Sequence, residues 1–210
     1  VTAEPADDNG ATIGGTEAGA RIDGARIRAA VSELIAAIGE NPKRPGLIDT
    51  PSRVADAYTE YFAGIGDDPL RHLADTETLT DAGQRPGELI MMRGIDFRSM
   101  CEHHLLPFLG IAHIAYLPRD RVVGLGKLPR VVETLASRPQ LQERLTEQIA
   151  DAIDQGLDAL GVLVVLEASH GCVTARDIRQ SRSTTVTLAA RGTLIEPAAR
   201  VEAMALIGKA

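Results

Sequence analysis

An α+β fold is the class the sequence predicts, and three features predict it. Apolar residues recur at helical spacing from Ile27 to Ile38, and again at Leu141, Leu145, Ile149, Ile153 and Leu157. The run Val162-Leu163-Val164-Val165-Leu166 has the length and β-branched content of a buried strand. An alternating segment, Ser183-Thr184-Thr185-Val186-Thr187-Leu188, reads as a further strand. With 210 residues and 44% hydrophobic content, the chain suits one core with an N-terminal helical appendage.

Residues 1–22, rich in Ala, Gly, Thr and Asp without periodicity, read as a flexible tail. Residues 23–88 read as a helical region and a long loop. The first helix carries Ile27, Ala30, Val31, Leu34, Ile35 and Ile38 and stops at Gly39, which accepts a left-handed conformation. A second begins at Thr50-Pro51-Ser52-Arg53, with Thr50 as cap and Val54, Ala57, Tyr58, Tyr61 and Phe62 as its buried stripe. Arg53 stands in the first turn against the helix dipole, where an anionic partner would favour it. Gly64 to Glu88 reads as loop with one helical turn.

Residues 89–210 hold the strand signals and the candidate chemistry. Leu89-Ile90-Met91-Met92 opens a strand, Leu109 to Leu117 forms another, and Pro118-Arg119-Asp120-Arg121 turns the chain into Val122-Val123-Gly124-Leu125 as a hairpin. Gly124-Leu125-Gly126-Lys127-Leu128-Pro129-Arg130 then leads into a helix, with two cations three apart near its start, an arrangement that can cradle an anion. The long helix after Ser137 packs its leucine and isoleucine stripe and turns Gln142 and Glu143 to other faces. A carboxylate such as Glu143 can accept the paired N–H donors of a guanine edge, although a helix glutamate taken alone reads as a surface residue. Glu196-Pro197 starts a last helix with Val201, Met204 and Ala205 inward.

The densest chemistry lies in Ser99-Met100-Cys101-Glu102-His103-His104. Cys101 and His104 are spaced to reach one ion, and thiolate with imidazole suits zinc. The only other cysteine is Cys172, in Ser169-His170-Gly171-Cys172, so the available set is Cys2His with a fourth position for water. Taken alone, the pattern also fits small buried cysteines and core histidines. His113, inside a strand, reads as structural. Arg176 and Arg179 add positive charge near Cys172.

A net charge of −7 and 3% aromatic content provide neither the basic surface nor the stacking rings of a nucleic-acid binder. No apolar run approaches the ~18 residues of a membrane span, and no signal-peptide pattern opens the sequence, so a cytoplasmic protein is expected. Two cysteines in such a chain favour a metal over a disulfide.

The order and spacing of Thr50-Pro51-Ser52-Arg53-Val54, Ser99-Met100-Cys101-Glu102-His103-His104, Gly124-Leu125-Gly126-Lys127, Arg138-Pro139-Gln140-Leu141-Gln142-Glu143-Arg144-Leu145-Thr146 and Glu167-Ala168-Ser169-His170-Gly171-Cys172 resemble the GTP cyclohydrolase I family. The resemblance implies a tunnelling fold over 89–210: an antiparallel four-stranded sheet backed by helices, assembled as a toroidal homodecamer with active sites between subunits. It implies zinc-dependent conversion of GTP and water to formate and 7,8-dihydroneopterin triphosphate, a precursor for folate, pterin or deazapurine pathways. Carried over, Cys101, His104 and Cys172 hold zinc, and His103 and His170 transfer protons. Glu143 anchors guanine with Gln142 beside it, and Lys127, Arg130, Arg176 and a neighbouring subunit's Arg53 meet the triphosphate. The chain departs from the family at Gly126 (usually serine), Gly171 (usually bulky, hence a looser third-ligand loop) and Asp177 (usually glycine). A paralogue acting on another guanine nucleotide and a non-catalytic zinc-bound assembly or regulatory subunit are the competing readings.

Overall fold

The computed structural model describes residues 22–83, 87–176 and 179–208. Residues 1–21 of the expected tail, the Gln84-Arg85-Pro86 part of the loop and Asp177 lie outside the described residues.

Helices α1 (Gly24–Ala37) and α2 (Thr50–Tyr61) pack on each other. Asp23 caps α1 by accepting from the Arg26 amide, and Gly39 follows the helix at φ 87°, the left-handed stop its position predicted. The cap of α2 is Asp49, not Thr50, and its side chain accepts from no amide of the first turn; Thr50 is already helical and Pro51 lies in the first turn. The expected loop from Gly64 contains a 3-10 turn, Pro69–Leu73, and also a short strand β1 (Thr76–Thr78).

Strands β2 (Ile90–Cys101) and β3 (Pro107–Leu117) form the hairpin that carries the first cysteine. The expected hairpin between Leu109–Leu117 and Val122–Leu125 does not form: β4 (Arg121–Val123) pairs with β1 in a separate two-stranded ribbon. Both long edges of β3 are already taken, by β2 on one side and β6 (Gly161–His170) on the other, so the chain after Pro118 must find another partner.

Helix α3 (Lys127–Ala136), a two-residue strand β5 (Pro139–Gln140) and helix α4 (Gln142–Leu157) precede β6. After it come a short helix α5 (Gly171–Thr174), strand β7 (Thr185–Gly192), a 3-10 turn at Thr193–Ile195, and α6 (Pro197–Ile207). The main sheet has five strands in the order β5-β2-β3-β6-β7. It is therefore not the purely antiparallel four-stranded sheet expected: the four long strands are antiparallel, and β5 joins parallel to the end of β2 through Met100↔Pro139 and Cys101↔Gln140.

Alternation along β6 divides its side chains between two cores. Val162, Val164 and Leu166 face the large core with Leu128, Val131 and Leu135 of α3 and Leu145, Ile149, Ile153 and Leu157 of α4. Leu163 and Val165 face a smaller core with Leu194 and Ala203. Each of the four α4 residues is fully buried, a contribution of about 2 kcal/mol apiece from area removed from water. On α6 the inward residue is Ala203, with Met204 partly covered. Val201 and Ala205, expected inward, are exposed because α6 meets the sheet along a narrower strip than a full stripe. No helix among the described residues is long and apolar enough to cross a membrane.

Candidate metal and nucleotide site

Three strand ends build the site. β2 ends at Cys101, β3 starts at Pro107 opposite Met100, and β6 ends at His170 opposite Phe108. The five-residue turn between β2 and β3 is closed by Leu105 N–H to the Cys101 carbonyl (2.8 Å) and Cys101 N–H to the Leu106 carbonyl (2.9 Å), with Leu105 left-handed at φ 49°. The turn is held from outside as well: Glu102 N–H donates to the Gln140 carbonyl on β5, and the Glu102 carboxylate pairs with Arg144.

This brings Cys101, His104 and Cys172 together, one ligand atom of each lying within 4.8 Å of the others. Cys101 Sγ lies 3.9 Å from His104 Nδ1, and the opposite ring nitrogen of His104 is 2.7 Å from Arg176 Nη2. Cys101 is buried and Cys172 half-buried. Burial, then the neighbouring Cys101 thiol, raises the Cys172 pKa. Gly171, expected to loosen this segment, opens the helical turn α5 and packs on β3, where a Cβ would come within 2.8 Å of the Pro107 carbonyl oxygen.

His103 is exposed beside His104, the rings 6.2 Å apart and edge to face. His170 stacks on Phe108 at 4.6 Å with planes 5° apart, and its Nε2 meets Gln142 Oε1 at 2.7 Å. Burial lowers the His170 pKa, while the charge of Glu143 raises it. Glu143 is exposed in the first turn of α4. Gln142 is not turned to another face: it is 1% exposed and both polar atoms of its side chain are bonded, a position that its polarity hid.

Lys127 and Arg130 stand at the start of α3, lining an open hollow of about 230 Å³ with Gly124, Leu125 and Gly126. The amides of Lys127 and Leu128 are already bonded to the Gly124 and Leu125 carbonyls, so these two N–H groups at the helix start are not offered to the hollow. Lys127 also lies 3.7 Å from Asp75. Arg130 borders a second hollow of about 250 Å³ with Arg71 and His72. There burial, then Arg71 and Arg130, lower the His72 pKa. Arg53 is exposed on α2 in an ion pair with Asp49, and its described contacts include no other candidate residue. His113 lies in β3 under the bulge of β2, accepting weakly from the Gly94 amide at 3.4 Å, where Gly94 takes φ 69°.

The donor set defines the class first: two cysteine sulfurs and one imidazole, each within reach of a single ion, form a metal-binding group. Residues 27–208 match the family model described as GTP cyclohydrolase I, and the chain belongs to that family. It is 63% identical over 186 residues to GTP cyclohydrolase 1 of Leifsonia xyli subsp. xyli, covering 89% of this chain and 96% of that one. Similar proteins of the same name come from Rhodopirellula baltica, 51% identical over 90% of this chain and 81% of that one, and Bacillus subtilis, 50% identical over 83% and 90%.

Proposed function

We propose that this chain catalyses the zinc-dependent hydrolytic opening of the guanine imidazole ring of GTP, releasing formate and giving 7,8-dihydroneopterin triphosphate. That it is an enzyme with GTP cyclohydrolase activity follows from its family and from relatives of that name at up to 63% identity. The observation that carries the metal assignment is the convergence of Cys101, His104 and Cys172 within 4.8 Å. Soft sulfur donors with an imidazole favour zinc over hard cations. When bound, zinc on three protein ligands supplies a Lewis acid with one position for water whose pKa falls toward ~7.

The rest is the work of side chains. His103 and His170 move protons to and from the purine, a task suited to imidazole near neutral pH. Glu143 accepts the paired N–H donors of the guanine edge, a pattern adenine lacks. Lys127, Arg130 and Arg176 concentrate positive charge for a triphosphate in a chain of net charge −7, and Arg53 adds to it from a neighbouring subunit. In this reading residues 89–210 form the catalytic region and 23–88 the appendage.

The proposal includes a toroidal homodecamer with sites between subunits, in the cytoplasm. Exposed apolar side chains support an assembly: Leu34, Ile38 and Ile48 on the N-terminal region, and Val186 and Leu188 on the edge strand β7. Incubation with GTP, followed by oxidation and fluorescence detection of neopterin with formate measured in parallel, tests the reaction. Formate without neopterin, or neither, refutes it. Sedimentation of the loaded protein as a monomer refutes the assembly.

A further inference from the structure

We infer that Gln142 is a positioning residue that fixes the ring orientation and tautomer of His170, and that it does not read guanine. Its amide nitrogen lies 3.2 Å from the Leu166 carbonyl, 2.9 Å from the Thr185 carbonyl and 3.1 Å from Thr187 Oγ1. Two amide hydrogens thus face three acceptors, leaving no donor for a ligand. The orientation of the amide follows from chemistry: turned over, its oxygen would face two backbone carbonyls, neither of which can donate.

The hydroxyls around it are directed too. Thr146 Oγ1 donates to the Gln142 carbonyl at 2.7 Å, so the 2.6 Å contact between Thr146 and Thr187 must be donated by Thr187. Thr187 in turn accepts from the Gln142 amide, and the ring of bonds closes with each donor assigned. Gln142 Oε1 is therefore an acceptor held in place, and the His170 Nε2 at 2.7 Å must carry the hydrogen. In the neutral ring the lone pair then belongs to Nδ1. Phe108 holds the face of the same ring, so its plane and its rotation are both fixed.

Strands β6 and β7 supply the acceptors that lock the amide, and α4 supplies the amide itself. The sheet and helix thereby set which nitrogen of His170 is free to exchange a proton, and Glu143 is left as the guanine contact. The inference rests on the proton-transfer role proposed for His170.

The test compares Gln142→Met, His170→Ala and the double variant, each loaded with zinc, for kcat, KM for GTP and zinc per chain. For Gln142→Met the expected result is a kcat lower by about 10- to 100-fold, with KM within about twofold and zinc content unchanged. In the His170→Ala background, adding Gln142→Met should change kcat by less than about twofold, since a residue that acts only through His170 has nothing left to orient. A raised KM at intact kcat overturns the inference and returns Gln142 to guanine binding. Losses that multiply in the double variant assign it a general structural role instead. A Gln142→Met enzyme as active as the parent, beside an inactive His170→Ala, refutes the Gln142 role alone; an active His170→Ala refutes the reading beneath it. Should the methionine variant fail to fold, Gln142→Asn, whose shorter amide cannot reach the His170 ring, is read against the same outcomes.

Discussion

Replacing Phe108 by leucine separates the packing role of that ring from its hold on His170. Phe108 is fully buried, stacks on His170 at 4.6 Å and meets Phe97 edge to face at 6.0 Å and 81°. Leucine keeps most of the apolar volume but loses both aromatic pairs, each contributing about 0.5–1.5 kcal/mol beyond area burial. The sum is about 2 kcal/mol, which for a chain of this size lowers Tm by roughly 4–8 °C. The measurement is thermal unfolding at fixed protein concentration, with kcat and KM for GTP taken well below the transition. The expected outcome is the Tm loss together with a fall in kcat at unchanged KM, because the His170 ring is free to tilt. Phe108→Leu with the full Tm loss and parental kcat would show that stacking does not orient His170. An unchanged Tm would remove the energetic argument as well.

Cys172→Ser should leave less than one zinc per chain after dialysis while the circular dichroism spectrum is retained, because a hydroxyl is a poor replacement for thiolate; full zinc retention would remove Cys172 from the ligand set. Gly126 has no atom within 4 Å of an added Cβ and an ordinary φ of −63°, so Gly126→Ser fits without strain. In the hollow that Lys127 and Arg130 line, its hydroxyl should meet the triphosphate and lower KM for GTP a few-fold at constant kcat; a raised KM would contradict that placement. Glu143→Gln should weaken GTP binding and erode discrimination against ATP, about tenfold or more for loss of a bidentate charged contact, as read from competitive inhibition; undiminished discrimination would move guanine recognition elsewhere. Burial, then Arg93, lowers the His113 pKa from its ordinary 6.5, and Glu167 opposes them. Below about 6.5 the unfolded chain therefore binds the extra proton, and stability rises with pH through that window and is lost on acidification. His113→Gln should flatten the Tm-against-pH slope there, and an unaltered slope would exclude His113 as its source.

Much of the fold was legible wherever one face of an element decides its burial. The α4 stripe from Leu145 to Leu157 and the run in β6 read directly, because a continuous apolar pattern leaves few alternatives. What periodicity does not contain is the identity of a partner. Val122 and Val123 look like the return strand of a hairpin, and only the occupation of both edges of β3 sends them to Thr76–Thr78. The same limit hid β5, two residues whose strand character exists only beside Met100 and Cys101. In the site, the thiol and imidazole residues stood out by type. Gln142 and Phe108 did not, since an amide at a helix start and a phenylalanine in a strand are ordinary until the strands around them are in place.

The proposed ligand set is split along the chain, with Cys101 and His104 in one turn and Cys172 beyond β6. An unfolded chain can offer an ion only the local pair, and closing the remaining loop carries an entropic penalty that the completed sheet has already met. Affinity is thereby reserved for the native state, and by mass action every loaded site adds to the free energy of unfolding by RT ln(1 + [M]/Kd). In the proposed metalloenzyme, scarcity of the ion would lower resistance to heat and proteolysis along with turnover, so its supply would set how much of the protein survives as well as how much of it works.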